Sequence, residues 1–275
     1  MLYNKRMEQV FSYSTTAQID ARLYNDILAR EERIEKICII AYIILLIIFR
    51  GWIGYWLKFG LAIPKQIDYK PININAEPIQ INYTPEQQKE KTFTYRTLQD
   101  NKEIELIPQA HYIINGKVLS YQYDISNNQI RFFDSAALYD LALSWGKLSD
   151  KTLFNDYFEC YNQKNKVTGS RLFWLEPKAF EPPFSNDYVK THWSQSNIIP
   201  ANRNIMAALL KLKHWNLVQI EGDLVDLKYN RPGKFALTHA TSLSRADDNS
   251  TICRGNGPGE VIYVTKIKIG NFVYQ

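Results

Sequence analysis

The segment NLVQIEGDLVDLKYN, residues 216–230, carries the pattern that decides the fold of this chain. Val218 and Ile220, before Gly222, share one parity, and Val225, Leu227 and Tyr229, after it, share the other. Apolar residues at every second position are typical of a β-strand that buries one face. Such a strand changes faces only at a bulge or a turn, and glycine allows either. The pattern therefore predicts a strand that bends at Gly222, as the strands of small closed barrels do.

A second segment, HYIINGKVLSYQYD at residues 111–124, repeats this arrangement. When the two segments are aligned, Gly116 falls on Gly222, and each segment then runs on to a tyrosine that follows a polar residue. The alignment predicts that Gly116 and Gly222 are both structural glycines in bent strands. Asn115 followed by Gly116 is also a strong signal for a tight β-hairpin turn, so a hairpin is the alternative for the first segment.

Four further segments alternate in the manner of strands: YDLALSWG (139–146), SRLFWLEP (170–177), KFALTHATSL (234–243) and GEVIYVTKIKI (259–269). One clear helix, ANRNIMAALLKLK at residues 201–213, follows Pro200 and places Ile205 and Leu209 on one face. We therefore predict a β-rich α+β domain over residues 92–275. Its expected architecture is an OB-like or similar small β-barrel with one notable helix.

An apolar run, EKICIIAYIILLIIFRGWIGYWLKFG at residues 35–60, precedes this domain. The 21 residues of 37–57 make about 31 Å of helix, which matches the hydrocarbon core of a membrane. Arg50 is the single charge among them, and its long side chain can reach the headgroups. Trp52 and Trp56 stand where an interfacial aromatic belt would lie. The run predicts a transmembrane helix over residues 37–57; in a variant, the span ends near Arg50 and the remainder lies flat in the interface.

Charges on the two sides of the run predict its orientation. Residues 1–36 hold six lysines and arginines, whereas the about twenty residues after Leu57 hold three. Since cytoplasmic flanks carry the excess of positive charge, the N-terminus is expected in the cytoplasm. The run begins too late for an ordinary signal peptide, so we expect an uncleaved anchor. The C-terminal domain would then lie in the periplasm, attached to a bacterial inner membrane.

The two flanks of the run differ in character. Residues 1–36 predict a cytoplasmic amphipathic helix. Its apolar stripe could build a homo-oligomer through residues 16–57, pack on another membrane protein, or lie on the membrane surface. Residues 58–91 carry a proline at every seventh position from Pro64 to Pro85, and each proline disfavours helix. These residues predict an extended spacer between the membrane and the domain.

Three stretches of the domain resemble a family of bacterial membrane-anchored proteins: YDLALSWG, SQSNIIPANRNIMAALLKLKHWNLVQIEGDLVDL, and the pair TSLSR and NGPGEVIYV. The family has an Asp-Leu-x-x-x-Trp-Gly strand, a strand that begins Gly-Asp-x-Val-x-Leu, and a glycine-rich approach to a Glu-x-x-Tyr-Val strand. The resemblance covers roughly residues 110–270 and departs from the pattern at Trp215, Asn216 and Asp226. It implies a small β-barrel-like fold beside a membrane anchor. It implies no activity, because the family has none established.

The composition and the polar motifs favour no catalytic chemistry. The chain of 275 residues has a net charge of +5, which is too mild to indicate a nucleic-acid partner. Its four histidines are scattered and its three cysteines form no CxxC pair, so neither a metal site nor a cofactor site is predicted. The glycine-rich loop at 254–260 leads into a strand, whereas a phosphate loop needs a helix. Ser242 and Ser244 lie in no GxSxG elbow and Asp247 and Asp248 lie in a polar loop, so we expect a protein that is not an enzyme.

Four tryptophans of the domain leave two interpretations open: Trp145, Trp174, Trp193 and Trp215. Large aromatic residues most often anchor a hydrophobic core. On a surface, the same residues could stack on sugars or on nucleic-acid bases. The burial of the four side chains distinguishes the two interpretations.

Cys160 and Cys253 are the two cysteines of the domain, since Cys38 lies in the apolar run. In an oxidising compartment they could form a disulfide that closes a loop of about 94 residues, worth roughly 4–5 kcal/mol in the chain-entropy model. Such a bridge requires their Cα atoms to lie within about 7 Å of each other. Either cysteine could equally be a small buried hydrophobic residue.

These features predict function at the level of class. The first class is a non-catalytic interaction or scaffold module that is anchored in the membrane and belongs to an envelope or secretion assembly. Its partners would be membrane lipid and other membrane or envelope proteins. The alternative is an OB-like barrel that binds a glycan or nucleic acid while tethered to the membrane. A periplasmic location would disfavour nucleic acid, so the orientation of the chain helps to distinguish the classes.

Overall fold

The computed structural model describes residues 30, 33–34, 36–44, 60–98, 101–123, 136–164, 171–178, 182–230, 235–244 and 259–275. The chain divides into two compact units, Met1–Lys58 and Phe59–Gln275. The first unit contains the predicted membrane anchor, and the second contains the predicted domain. Each unit is described by itself.

The first unit is described at a few positions. Residues 36–44 are helical, and their side chains are exposed. Among the described residues, no helix combines the length and the apolar character that crossing a membrane requires. Residues 45–57 of the predicted span, which include Arg50, Trp52 and Trp56, lie outside the described residues. The transmembrane helix therefore stays a prediction from the sequence.

The second unit is a β-rich α+β fold with few helices, as predicted from the sequence. Its described residues contain twelve strands: β1 (Gln66–Ile67), β2 (Ile79–Asn82), β3 (Phe93–Arg96), β4 (Glu103–Tyr123), β5 (Tyr139–Ser144), β6 (Phe158–Lys164), β7 (Arg171–Pro177), β8 (Trp193–Pro200), β9 (Leu217–Tyr229), β10 (Leu237–His239), β11 (Glu260–Ile269) and β12 (Phe272–Tyr274). The same residues contain four α-helices and one 3-10 helix: α1 (Pro85–Lys91), the 3-10 helix (Gly146–Ser149), α2 (Lys151–Tyr157), α3 (Asn186–Thr191) and α4 (Arg203–Leu209).

Five of the strands form a closed ring. β4 pairs antiparallel with β5 along one edge and with β9 along the other. β5 pairs antiparallel with β8, and β8 pairs parallel with β11. β11 then pairs antiparallel with β9, which completes the circuit. The other strands of this ten-stranded mixed sheet extend its edges, whereas β6 and β7 form a separate two-stranded hairpin.

β4 is one continuous strand of 21 residues, so the hairpin alternative at Asn115 and Gly116 is wrong. Both residues lie inside the ladder, opposite Gln219 and Val218 of β9. Gly116 also lacks the positive φ that the central residues of a type I′ turn need. The uninterrupted strand borders β9 along one edge and β3, β2 and β5 along the other.

The apolar residues of β9 do change faces, but the change lies beyond Gly222. Buried residues continue at even positions to Leu224, and then Val225 and Leu227 are buried. Opposite this point, β4 holds an extra residue, Gln109, between the partners of Val225 and Leu224. An extra residue of this kind is a β-bulge, which bends the ladder. The extra residue therefore lies in the partner strand, and the consecutive buried residues Leu224 and Val225 of β9 mark the point opposite it.

The residues predicted to form a spacer contribute instead to the second unit. β1 pairs with β12, and β2 pairs with β4. Thr84 begins α1 with a capping box that involves Gln87, and Pro85 occupies the first turn of the helix. Pro78 precedes β2 directly. The prolines that suggested a spacer thus lie at the boundaries of elements, where they are compatible with helix starts and strand starts.

Residues 68–77, here called the strap, connect β1 to β2 and are held by residues that are distant in sequence. The Nζ atom of Lys268 in β11 lies 2.9 Å from a carboxylate oxygen of Asp68. Three side chains donate hydrogen bonds to the strap: Lys268 to the carbonyl oxygen of Lys70 (2.5 Å), Asn115 to the carbonyl oxygen of Asn73 (3.0 Å), and Trp145 to the carboxylate of Glu77 (3.1 Å). The strap is therefore fixed by tertiary contacts, which its own composition does not indicate.

Candidate functional site

β5 and β8 are buried along their whole length. Ala142 and Trp193 of these strands belong to one hydrophobic cluster with Phe158 and Phe173 of the β6–β7 hairpin. The main-chain N–H of Phe173 also donates to the Oε1 atom of Gln195 in β8 (3.1 Å). The chain's own hairpin therefore fills this face of the sheet.

Four polar side chains from three strands of the ring form a buried network. Tyr112 of β4 donates to Oε1 of Glu260 in β11 (2.5 Å), and Ser196 of β8 donates to Oε2 (3.1 Å). The hydroxyl oxygens of Ser194 and Ser196 are 3.0 Å apart. All four side chains are buried, so the Glu260 carboxylate is stabilised by hydrogen bonds from the protein. The network joins β4, β8 and β11, and its enclosure separates it from dissolved substrates.

A second polar cluster ties the strap to α3. Oε1 of Glu77 lies 3.3 Å from Nε2 of His192, while its Oε2 accepts the hydrogen bond from Trp145. The His192 ring stacks on Tyr188, with the ring centres 3.6 Å apart. The hydroxyl oxygen of Tyr188 accepts from the main-chain N–H of Lys147 (2.8 Å). The contacts of Glu77 with His192 and Trp145, and of Tyr188 with Lys147, join segments that are distant in sequence. The cluster is therefore a structural clamp.

Tyr83, Asp223 and His111 form a third cluster beside α1. Tyr83 donates to Oδ1 of Asp223 (2.7 Å), and Nδ1 of His111 lies 3.6 Å from the same oxygen. Burial, and then the hydrogen bond to Asp223, raise the pKa of Tyr83 well above its ordinary value. The phenol therefore stays protonated at neutral pH and serves as a donor. The cluster links the end of β2 to β4 and β9.

The four histidines lie in separate surroundings, and two of them belong to the clusters above. Nδ1 of His214 lies 2.7 Å from the carbonyl oxygen of Leu119. His239 lies in β10. Within the part of the chain that the structure describes, no three His, Cys, Asp or Glu side chains are grouped closely enough to hold a metal ion.

The four tryptophans do not form one common surface. Trp145 and Trp193 are buried, which agrees with the interpretation as core anchors. Trp174 is half-buried and stacks on Tyr161, with ring centres 5.5 Å apart. Trp215 packs edge-on against a phenylalanine of α2, also at 5.5 Å. Stacking on a sugar or a base would therefore have to use Trp174 or Trp215 singly.

Gly222 and Gly116 lie where an adjacent strand of the sheet approaches closely. A Cβ atom added at Gly222 would lie 2.0 Å from the carbonyl oxygen of Tyr263 in β11. A Cβ atom added at Gly116 would lie 3.2 Å from Cβ of Leu143 and 3.3 Å from the carbonyl oxygen of Ser144. Because Gly222 has no side chain, the backbones of β9 and β11 can approach closely at this position.

Cys160 of β6 is half-buried and packs against the hydrophobic cluster beneath the hairpin. Burial raises the pKa of this thiol to about 12. Cys253, its predicted partner in a disulfide, lies outside the described residues. The pairing of Cys160 with Cys253 therefore stays a prediction.

The polar loop residues are described in part. Ser242 is buried, and its hydroxyl donates to the carbonyl oxygen of Ser244 (3.0 Å). Asp247, Asp248 and the glycine-rich loop up to Pro258 lie outside the described residues. The described serines thus stabilise a local turn.

An open groove lies where β1 and β12 meet the start of β9, and its volume is about 490 Å³. Ile67 and Phe272 stand directly opposite each other in β1 and β12, and both are exposed. Sequence reasoning missed this groove, although the apolar residues of LAIPKQIDY at 61–69 alternate with other residues. Most of the side chains that line it are apolar: Ile67, Tyr69, Trp215, Leu217, Ile269 and Phe272.

Comparison of the chain with family models, with curated proteins and with solved structures found no match. The function is therefore inferred from the sequence and from the contacts of the second unit.

Proposed function

We propose that this chain is a single-pass, membrane-anchored and non-catalytic interaction or scaffold module of an envelope or secretion assembly. Its anchor is the apolar run at residues 37–57, and its working part is the unit that begins at Phe59. The resemblance of residues 110–270 to membrane-anchored bacterial proteins supports this assignment. Membrane lipid, other envelope proteins and a second copy bound through residues 16–57 are the partners that fit it.

The strand order of the ring supports an OB-like architecture. In chain order the five ring strands are β4, β5, β8, β9 and β11, and around the ring the order is first, second, third, fifth, fourth. The third and fifth strands are parallel, and α4 lies between the third and fourth. A closed five-stranded ring with a crossing connection is the Greek-key arrangement of OB folds.

The observation that carries the proposal is the filled face of β5 and β8. OB folds bind oligonucleotides and oligosaccharides on the face of their second and third strands. In this chain Phe158 and Phe173 of the β6–β7 hairpin pack against that face, and Gln195 is bonded to the hairpin backbone. A ligand would have to displace a hydrophobic cluster to reach these strands. Binding through other surfaces, by contact with proteins or lipid, fits this geometry better.

A topology experiment tests the anchor. With the N-terminus in the cytoplasm, alkaline phosphatase fused after Gln275 should be active, because this enzyme requires an oxidising compartment. The same fusion with residues 37–57 deleted should be inactive. An inactive full-length fusion, together with an active cytoplasmic reporter at the same position, would contradict the proposed orientation.

A binding experiment tests the choice between the two classes of function. The full chain extracted in mild detergent should associate with envelope proteins in a complex larger than the chain itself, whose mass is 32.1 kDa. It should not bind single-stranded DNA, RNA or glycan fragments at physiological salt. Saturable binding of one of these ligands by the full chain would favour the alternative of a ligand-binding barrel.

A further inference from the structure

The segment that opens the second unit exposes apolar side chains at alternating positions. Leu61 is 63% exposed and Ile63 is 68% exposed, whereas Ala62 between them is buried; Tyr69, further along the segment, is 78% exposed. Five exposed apolar side chains of this segment and of β12 are together called the apolar ridge: Leu61, Ile63, Ile67, Tyr69 and Phe272. Ile67, Tyr69 and Phe272 of the ridge also line the open groove.

The apolar ridge is held by hydrogen bonds at several points along its length. The main-chain N–H of Lys65 donates to the carbonyl oxygen of Val273 (2.7 Å). The side chain of Asn204 in α4 donates to the carbonyl oxygen of Ile63 (3.0 Å) and accepts from its N–H (2.8 Å). Lys211 donates to the carbonyl oxygen of Ala62 (3.0 Å). The exposure of the ridge is therefore a property of a fixed backbone, since β12, α4 and Lys211 hold the segment.

The position of the ridge along the chain indicates what covers it. The apolar run ends at Leu57, and the ridge begins at Leu61. Four residues of extended chain span at most about 14 Å. If residues 37–57 cross a bilayer, as the proposed function requires, the ridge lies at or next to the lipid headgroups.

The chemistry of the ridge fits a lipid surface. Its tyrosine belongs to the residue types enriched at membrane interfaces. Lys65 and Lys70 are exposed beside it, and cations near an apolar face are attracted to anionic lipids. The carboxylate of Asp68, which would repel such lipids, is compensated by Lys268 at 2.9 Å. Apolar, aromatic and basic groups thus share one edge of the second unit.

We infer that the apolar ridge rests in the interfacial region of the bilayer, with its side chains among the headgroups and upper acyl chains. This inference rests on the proposed function, because residues 37–57 must anchor the chain for the ridge to reach lipid. The contact would fix the orientation of the ring relative to the membrane. A second copy of the chain seated on the ridge is the competing occupant.

Photo-cross-linking of the full chain in its native membrane tests this inference. A benzophenone amino acid replaces Ile67 or Tyr69, and cells are grown with radiolabelled phosphate so that lipid adducts can be detected on the purified protein. Both positions should acquire labelled phospholipid on irradiation. Leu45, in the middle of the apolar run, should do so as well.

Phe235 provides the matched control, because it is an aromatic residue that is 94% exposed. It lies two residues before Leu237, which pairs with Tyr229 at one end of β9, whereas the groove includes Leu217 at the other end. The two ends of this strand are at most about 40 Å apart, at about 3.3 Å per residue. Phe235 should therefore acquire no lipid.

Each other outcome overturns a distinct statement. A covalent dimer formed from position 67 or 69 would assign the ridge to a second copy. Labelled lipid at position 45 without lipid at 67 and 69 would overturn the inference and leave the anchor standing. Lipid at 67 and 69 without lipid at 45 would overturn the proposed transmembrane anchor and leave the ridge as the membrane contact. Equal labelling at 235 would overturn the inference, because lipid contact would then not be confined to the ridge.

Discussion

At the scale of single residues, Gly222 shows what a strand's own alternation can and cannot reveal. The sequence singles out this glycine for a change of faces, whereas the structure places there a close approach to the carbonyl oxygen of Tyr263. The change of faces is produced by Gln109 in the neighbouring strand. The distance between two strands depends on both backbones. The periodicity of β9 alone therefore could not predict the close approach at Gly222.

Replacing Gly222 with alanine should destabilise the fold strongly. The added Cβ would lie 2.0 Å from a carbonyl oxygen, so that one of the two strands must move. We expect a loss of about 3 kcal/mol in the free energy of unfolding, at the upper end for overpacked sites. Denaturant unfolding of the full chain in detergent, followed by circular dichroism, measures this loss.

Gly116→Ala is the matched control for this prediction. Its Cβ would meet neighbouring atoms at 3.2 and 3.3 Å, which a small shift can relieve. We expect the free energy of unfolding to fall by about 1 kcal/mol, which is the lower end of the usual range for overpacked sites. Equal stability of the Gly222→Ala variant and the parent would contradict the close approach seen between β9 and β11.

Cys160 allows a prediction that depends on pH. The thiolate is the reactive form of cysteine, and a thiol with a pKa of about 12 is almost wholly protonated at pH 8. Iodoacetamide should therefore modify Cys160 slowly in the folded chain, with a rate that rises roughly tenfold per pH unit up to the pKa. After denaturation with a reductant, modification should be fast. Mass spectrometry of the peptide that contains Cys160 gives the rates.

Two results of this experiment would have other meanings. Fast modification of folded Cys160 at pH 8 would contradict its packing against the hydrophobic cluster beneath the hairpin. Protection that persists in denaturant and disappears only when reductant is added would reveal the disulfide with Cys253.

At the scale of elements, strands with strong alternation were predictable, and strands with weak alternation were not. The segments at 139–146, 170–177 and 259–269 contain β5, β7 and β11. The segment SQSNIIP, in contrast, is the buried strand β8 and carries polar residues such as Ser194 and Ser196. Because these side chains bond to each other and to Glu260, their polarity gave no sign of burial.

The β6–β7 hairpin is the element on which the proposed function depends most. Phe173→Ala removes a buried ring from the cluster that covers β5 and β8. Truncation of a buried phenylalanine costs about 3–5 kcal/mol, so we expect a marked fall in the melting temperature of the full chain in detergent. The variant should also bind a hydrophobic dye more strongly, because the face of the sheet becomes accessible.

Tyr161→Ala is the control for the hairpin. Tyr161 lies on the outward side of β6, where it stacks on Trp174 and is 37% exposed. Its loss should change the melting temperature much less than the loss of Phe173. If the two variants melt alike and neither binds more dye, the hairpin does not cover the sheet as described.

At the scale of the whole molecule, the fold class was predictable, whereas the strand pairings that close the ring were not. Alternating segments with one helix specify a β-rich domain, since patterning reports which faces are buried. Closure depends on pairings such as β4 with β9 and β8 with β11, which join residues far apart in the chain. The strap was mistaken for a spacer for the same reason, because its partners at Asn115, Trp145 and Lys268 are distant in sequence.

The buried polar network also depends on contacts between residues that are far apart in the sequence. Glu260 is bonded to Tyr112 and Ser196, which precede it by 148 and 64 residues. Each of these residues is ordinary by itself, and the network exists only when three strands meet. Four of the five residues of the apolar ridge, in contrast, lie close together in the sequence, and the alternation of LAIPKQIDY could have revealed them.

The parallel pairing of β8 with β11 also constrains the order in which the strands can pair during folding. β11 and β12 lie at the C-terminal end of the second unit; β11 closes the ring against β9, and β12 receives β1. Non-local pairings of this kind form late, because the intervening chain must first be closed into a loop. A chain that is threaded through a translocation channel from its N-terminal side therefore cannot complete the ring until its final strands have emerged. If the second unit is exported, as the proposed function requires, this topology keeps it open throughout translocation.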